Sequence, residues 1–169
     1  MAVTIKSQRE IELMRESCKI LADVFSQMEK AVHPGVSTLD INNLGEKLIR
    51  AHGCIPNFLN YNGYPASICV SVNDEVVHGI PKKERILEEG DIVSLDAGLI
   101  YKGYHSDAAR TYPVGTVSAD VQQLMDVTRQ SFFEGIKFAR AGCHLYDISR
   151  AIDAYASKFG YVIVRDLVG

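Results

Sequence analysis

The stretch Gly90-Asp91-Ile92-Val93-Ser94-Leu95-Asp96-Ala97-Gly98-Leu99-Ile100-Tyr101-Lys102-Gly103-Tyr104-His105-Ser106-Asp107 constrains the fold of this chain more than any other. β-Branched and aromatic residues alternate there with small and polar ones, as in strands that bury one face. A reversal at about Tyr101-Lys102 makes the stretch a hairpin in which Gly98 faces His105 and Asp96 faces Asp107. Two carboxylates would then meet on one side of the sheet, with Cβ atoms about 5 Å apart. Asp is rare in strands, and like charges placed opposite each other are destabilising. A divalent cation held by carboxylate oxygens would compensate, as would a proton shared by the pair. A plainer arrangement leaves one Asp in the turn and uses a bulge to send the other to solvent.

Helical patterns flank this hairpin. Ser7-Gln8-Arg9-Glu10 is a capping box that opens a helix to about Ala31, with Ile11, Met14, Cys18, Leu21, Ala22 and Phe25 as its expected buried stripe. His33-Pro34-Gly35 stops it, and Ser37-Thr38-Leu39-Asp40 caps a second helix through Arg50. From Cys54 to Gly115 short β-rich runs lie between Gly, Pro and Asn: Ile68–Val72, Ile92–Ile100 and Tyr104–Val114. Helices are expected again from Ser118 and from about Tyr146 to Lys158, then a strand at Tyr161–Val164. At an offset of 107, Gly35 falls on Gly142, Asp40 on Asp147, Ile41 on Ile148 and Gly53 on Gly160. That recurring punctuation indicates an internal repeat, 1–115 as the first copy and 116–169 as the start of a second, within one domain of mixed α/β (α+β) class. The second copy lacks its sheet, so the single domain 1–169 is expected to be about one and a half repeats of a two-repeat fold.

Composition removes several classes of function. Net charge is −3 and the Lys and Arg residues are scattered, which disfavours nucleic acid or an anionic membrane surface as partner. No apolar run reaches the ~20 residues of a membrane span, and the N-terminus has no apolar signal core. Cys18, Cys54, Cys69 and Cys143 form no CxxC pair, so a reduced, cytoplasmic protein is expected.

Further candidates lie upstream of the hairpin. His78 follows Val76-Val77 and precedes Gly79-Ile80-Pro81, which places it at the mouth of a strand. A histidine there can shuttle a proton or bind a substrate, although a lone His is more often structural. Phe58, Tyr61 and Tyr64 crowd around Gly63 and Pro65, either as an apolar pocket wall or as a loop capping the core. Cys69 alternates with Val70 and reads as a small buried hydrophobe.

The segments N-Y-N-G-Y-P-A-S-I-C-V-S-V-N (60–73), V-V-H-G-I-P (76–81), G-D-I-V-S-L-D-A-G (90–98) and G-Y-H-S-D (103–107) resemble type I methionine aminopeptidases in sequence, order and gaps. The resemblance runs along the whole chain, as an N-terminal portion, and implies the pita-bread fold: two pseudo-symmetric αβ halves around a dinuclear metal site. It implies a hydrolase that takes the initiator methionine from nascent polypeptides at the ribosome. The complete enzyme would use two divalent ions (Co, Mn, Fe, Ni or Zn). By the resemblance Asp96 and Asp107 are metal ligands, His78 contacts the scissile amide, and Phe58, Tyr61, Tyr64 and Cys69 line the methionine pocket. Asn62 stands where some members carry His, and Ser106 where Gly often precedes the Asp. The remaining His and Glu ligands belong to the second sheet, and the H-G-I-G motif carrying that His is expected just after Gly169. This chain alone is therefore expected to be inactive, to hold metal weakly or not at all, and to need its other half or to self-associate. Two other readings are a non-catalytic pita-bread module that binds protein or peptide, and a prolidase-like peptidase.

Overall fold

Ser7 opens helix α1 (Gln8–Glu29) with a reciprocal cap: its hydroxyl accepts from the Glu10 amide, and the Glu10 carboxylate accepts from the Ser7 amide at 2.7 Å. The computed structural model describes residues 4–164. Ser37 and Asp40 cap helix α2 (Thr38–Ala51) in the same way. The expected stripe of α1 is corrected. Leu21 and Phe25 are buried as expected, but the rest of the stripe is Ser17, Val24 and Met28, while Ile11, Met14, Cys18 and Ala22 lie on the open side. The helix is turned that way by a buried polar anchor, Ser17 Oγ donating to Ser106 Oγ at 2.9 Å. Both hydroxyls are thereby satisfied away from water.

The sheet is antiparallel and built around one long strand. β1 (Ile55–Pro56) and β2 (Ile68–Val72) share one edge of β3 (Ile92–Tyr101) end to end, and β4 (Tyr104–Pro113) fills the other. Helix α1 packs against β4 and β3, and α2 against β2 and β1. Val93, Leu95, Ala97 and Leu99 alternate into the core beneath the helices and are fully buried. Burying a Val or Leu side chain contributes about 1.5–3 kcal/mol, so this face fixes the register of the sheet.

The hairpin register differs from the expected one. The turn is Lys102-Gly103, with φ of 49° and 85°, and Tyr101 pairs with Tyr104. A two-residue primed turn needs positive φ at both positions, and Gly103 supplies the second at no steric cost. Asp107 therefore lies opposite Gly98, and Asp96 lies opposite Ala109. The expected strand at Tyr161–Val164 is also corrected: these residues lie in neither helix nor strand, and no strand pairs with them among the described residues. An apolar β-branched run satisfies its backbone as a strand only where a neighbour is present.

The chain divides into two compact units after Val117. In the second unit Ser118 caps α3 (Ala119–Ile136), and His144 with Asp147 caps α4 (Leu145–Ser157). α3 and α4 pack together at Gly135, where a Cβ would meet Ile152 at 2.7 Å. The helices α2 and α4 carry matching punctuation. Gly35 and Gly142 precede them at φ of 91° and 88°, and Gly53 and Gly160 follow them at 70° and 80°.

Candidate functional site

The face of the sheet turned away from α1 and α2 carries the chemistry. Cys69, Asp96 and Ala109 form one row across β2, β3 and β4, and Gly98 and Asp107 belong to the next. Asp96 and Asp107 are thus diagonal neighbours on one face, about 7 Å apart at Cβ for such positions. Asp96 Oδ1 is buried and has no hydrogen-bond partner. Burial above all, and then the charge of Asp107, pushes the Asp96 carboxyl up to about 6, while a charged His78 would draw it down. Partial loss of hydration raises Asp107 as well.

This donor set fits a divalent cation. An anionic oxygen left buried without a partner is costly, and a hard cation satisfies it directly. Asp96 and Asp107 are the residues that could hold one. Among the described residues no third His, Cys, Asp or Glu joins them in a cluster.

His78 is set beside this patch by its neighbour. Gly79 lies along the outer edge of β2: its carbonyl accepts from Val70 N–H at 3.0 Å and its N–H donates to Ser71 Oγ at 3.0 Å. A Cβ on Gly79 would stand 2.3 Å from the Val70 carbonyl oxygen, so only glycine permits this approach. His78 itself is exposed, with φ of 58°.

The pocket candidates separate into two groups. Tyr64 Oη donates to Gly79 O at 2.8 Å, which ties the aromatic loop to the His78 segment. Burial pushes the Tyr64 hydroxyl and the neighbouring Cys69 thiol up, so the thiol stays protonated. These two adjoin Asp96. Phe58 is half-buried and Tyr61 is exposed at the rim.

One contact here carries no signal in the sequence, that between Asn57 and His105. Asn57 N–H donates to Gly98 O at 2.9 Å, and Asn57 Oδ1 accepts from His105 Nδ1 at 2.9 Å. The contact depends on the short strand β1, whose two residues are too few to show a periodicity.

A model of metallopeptidase family M24 matches residues 12–169. The chain is 48% identical over 167 residues to the methionine aminopeptidase of Clostridium acetobutylicum, covering 99% of this chain and 67% of that protein. It is 43% identical to methionine aminopeptidase 1 of Bacillus subtilis, with the same coverage. The crystal structure of the methionine aminopeptidase of Thermotoga maritima superposes with a TM-score of 0.96 at 38% identity, over 99% of this chain and 68% of that one. The chain spans about two thirds of the length of these relatives. The fold is accordingly that of the pita-bread aminopeptidases, in part.

Proposed function

The chain belongs to the methionine aminopeptidases of metallopeptidase family M24, and on that premise we propose that its sheet forms one wall of a hydrolytic metal site for the N-terminal methionine of polypeptides. The observation that carries this reading is the buried, unpartnered Asp96 Oδ1 beside Asp107. A non-catalytic module would have no use for a second carboxylate there, since Asn at position 96 would remove the buried charge and its repulsion with Asp107. Asp96 and Asp107 would hold divalent cation, drawn from Co, Mn, Fe, Ni or Zn, through their carboxylates. When bound, the metal supplies an activated water and a polarised peptide carbonyl.

The chain's own residues then bind and orient the substrate. Tyr64, Cys69 and Phe58 offer an apolar wall suited to an unbranched side chain, with Tyr61 at its rim. The raised thiol and hydroxyl keep that wall uncharged. His78, exposed at the end of its segment, is free to hydrogen-bond the scissile amide, and a bond that strengthens in the transition state accelerates the reaction. The partner is the initiator methionine of nascent chains, met in the cytoplasm as they leave the ribosome. Among the described residues no helix is long and apolar enough to cross a membrane. Two carboxylates leave most of a cation's coordination sphere to other groups, so this reading concerns the whole protein rather than residues 1–169 alone.

Release of Met from a Met-Ala-Ser peptide tests it. Added Co²⁺ or Mn²⁺ should support turnover by the whole protein, and Asp96→Asn or Asp107→Asn should each lower it at least about a hundredfold. Residues 1–169 alone should release none. Unchanged turnover in both variants would overturn the reading.

A further inference from the structure

We propose that the hydroxyls of Ser71 and Tyr64 are positioning groups for His78, holding its left-handed backbone in place through Gly79. The proposal rests on the reading of His78 as the residue that contacts the scissile amide. Asn73 to His78 are all exposed, and Gly79 is the first buried residue after Val72. The imidazole is therefore placed by whatever fixes Gly79 to the sheet.

Three hydrogen bonds fix it. Gly79 N–H donates to Ser71 Oγ at 3.0 Å, and Gly79 O accepts from Val70 N–H at 3.0 Å and from Tyr64 Oη at 2.8 Å. The Gly79 N–H shares a rigid peptide plane with the His78 carbonyl, so the Ser71 bond fixes that plane and with it the ψ of His78. The Tyr64 bond fixes the plane that follows. His78 has φ of 58°, a conformation that a side chain disfavours and that persists only where the surroundings impose it. Ser71 is buried on β2, two residues beyond Cys69 on the same face. Tyr64 serves twice, since its ring belongs to the methionine wall and its hydroxyl to the clamp.

The two hydroxyls differ in weight. Loss of Ser71 Oγ takes the acceptor from a buried N–H, whereas loss of Tyr64 Oη leaves Gly79 O its bond from Val70. Release of Met from Met-Ala-Ser by the whole protein, measured on folded variants, tests the clamp. Ser71→Ala should lower kcat about tenfold and Tyr64→Phe about threefold, each with KM within about twofold of wild type, because both leave the ring wall in place. In a His78→Ala background neither substitution should lower kcat further, since the group being positioned is gone.

A merely structural role would lower the melting temperature and leave kcat per folded molecule unchanged, which would overturn the proposal. A loss confined to KM would do the same, and so would an equal fall of kcat in the His78→Ala background. Wild-type kcat in His78→Ala itself would instead overturn the reading of His78, and the clamp would then have nothing to position. If Ser71→Ala does not fold, Tyr64→Phe carries the same cycle alone.

Discussion

Asp107 stands across the ladder from Gly98, and so meets Asp96 on the diagonal of the same face. A diagonal pair keeps both carboxylates within reach of shared cations while avoiding the close repulsion of a direct pair. The charge that remains is still felt, because Asp96 is raised by burial first and by Asp107 second.

That shift makes stability depend on pH in the metal-free chain. The folded carboxyl of Asp96 sits at about 6 against an ordinary 3.8, so between those values the folded chain holds a proton that the unfolded chain has released. The contribution of this group is complete below pH 3.8 and is lost as pH rises through about 6. Asp96→Asn should therefore raise the melting temperature in EDTA at pH 7 and change it little at pH 3.5. Thermal unfolding followed by circular dichroism at both pH values checks this. A fall at pH 7 would mean that the ionised carboxylate is held by favourable contacts.

The turn carries the second prediction. Nothing lies within 4 Å of a Cβ at Gly103, so Gly103→Ala would cost only the backbone penalty of φ at 85°. That penalty is about 1–2 kcal/mol. Lys102→Asn should act in the opposite direction, since Asn accepts the left-handed conformation and Asn-Gly is the favoured pair for this turn. Denaturant midpoints of the two variants should move to either side of wild type.

The same turn explains what could be read in advance. Capped helix starts at Ser7 and Ser37 are local events, written in residues three apart, and the sequence is enough to find them. The hairpin was legible as a hairpin, and its functional face was legible too. A register displaced by two residues keeps every side chain on its side, so Asp96 and Asp107 remain on one face although they are not opposite. The exact pairing lay in the backbone demand at Lys102-Gly103. The stripe of α1 was less legible, because two apolar faces compete on it and the buried contact between Ser17 and Ser106 decides which is covered. Asn57 and His105 are brought together from 48 residues apart, and no local pattern announces that contact.

Gly79 should tolerate no side chain. A Cβ there would lie 2.3 Å from the Val70 carbonyl oxygen, so Gly79→Ala must push the His78 segment off the edge of β2. Overpacking of this sort costs about 1–3 kcal/mol. In the whole protein the variant should lose activity along with stability. His78→Ala should instead leave stability unchanged, because the ring is exposed, and lower kcat more than it raises KM. Steady-state kinetics beside thermal unfolding separates the two, and a loss confined to KM in His78→Ala would make that residue a binding group.

Thiol reactivity tests both the packing of the pocket and the rotation of α1. The chain has four free cysteines, of which Cys18 is exposed, Cys143 half-buried, and Cys54 and Cys69 buried. Burial pushes the thiols of Cys54 and Cys69 up, so at neutral pH both are shielded and protonated. Disulfide exchange requires thiolate and access together. A chromogenic disulfide reagent should therefore modify Cys18 first, and reach Cys69 and Cys54 only on unfolding. Cys18→Ser should remove the fast phase. If α1 buried Ile11, Met14 and Cys18 instead, Cys18 would be slow and that substitution would leave the fast phase in place. Rapid modification of Cys69 in the native chain would mean that Tyr64 and the His78 segment do not cover it, and the apolar wall proposed for methionine would be open to water.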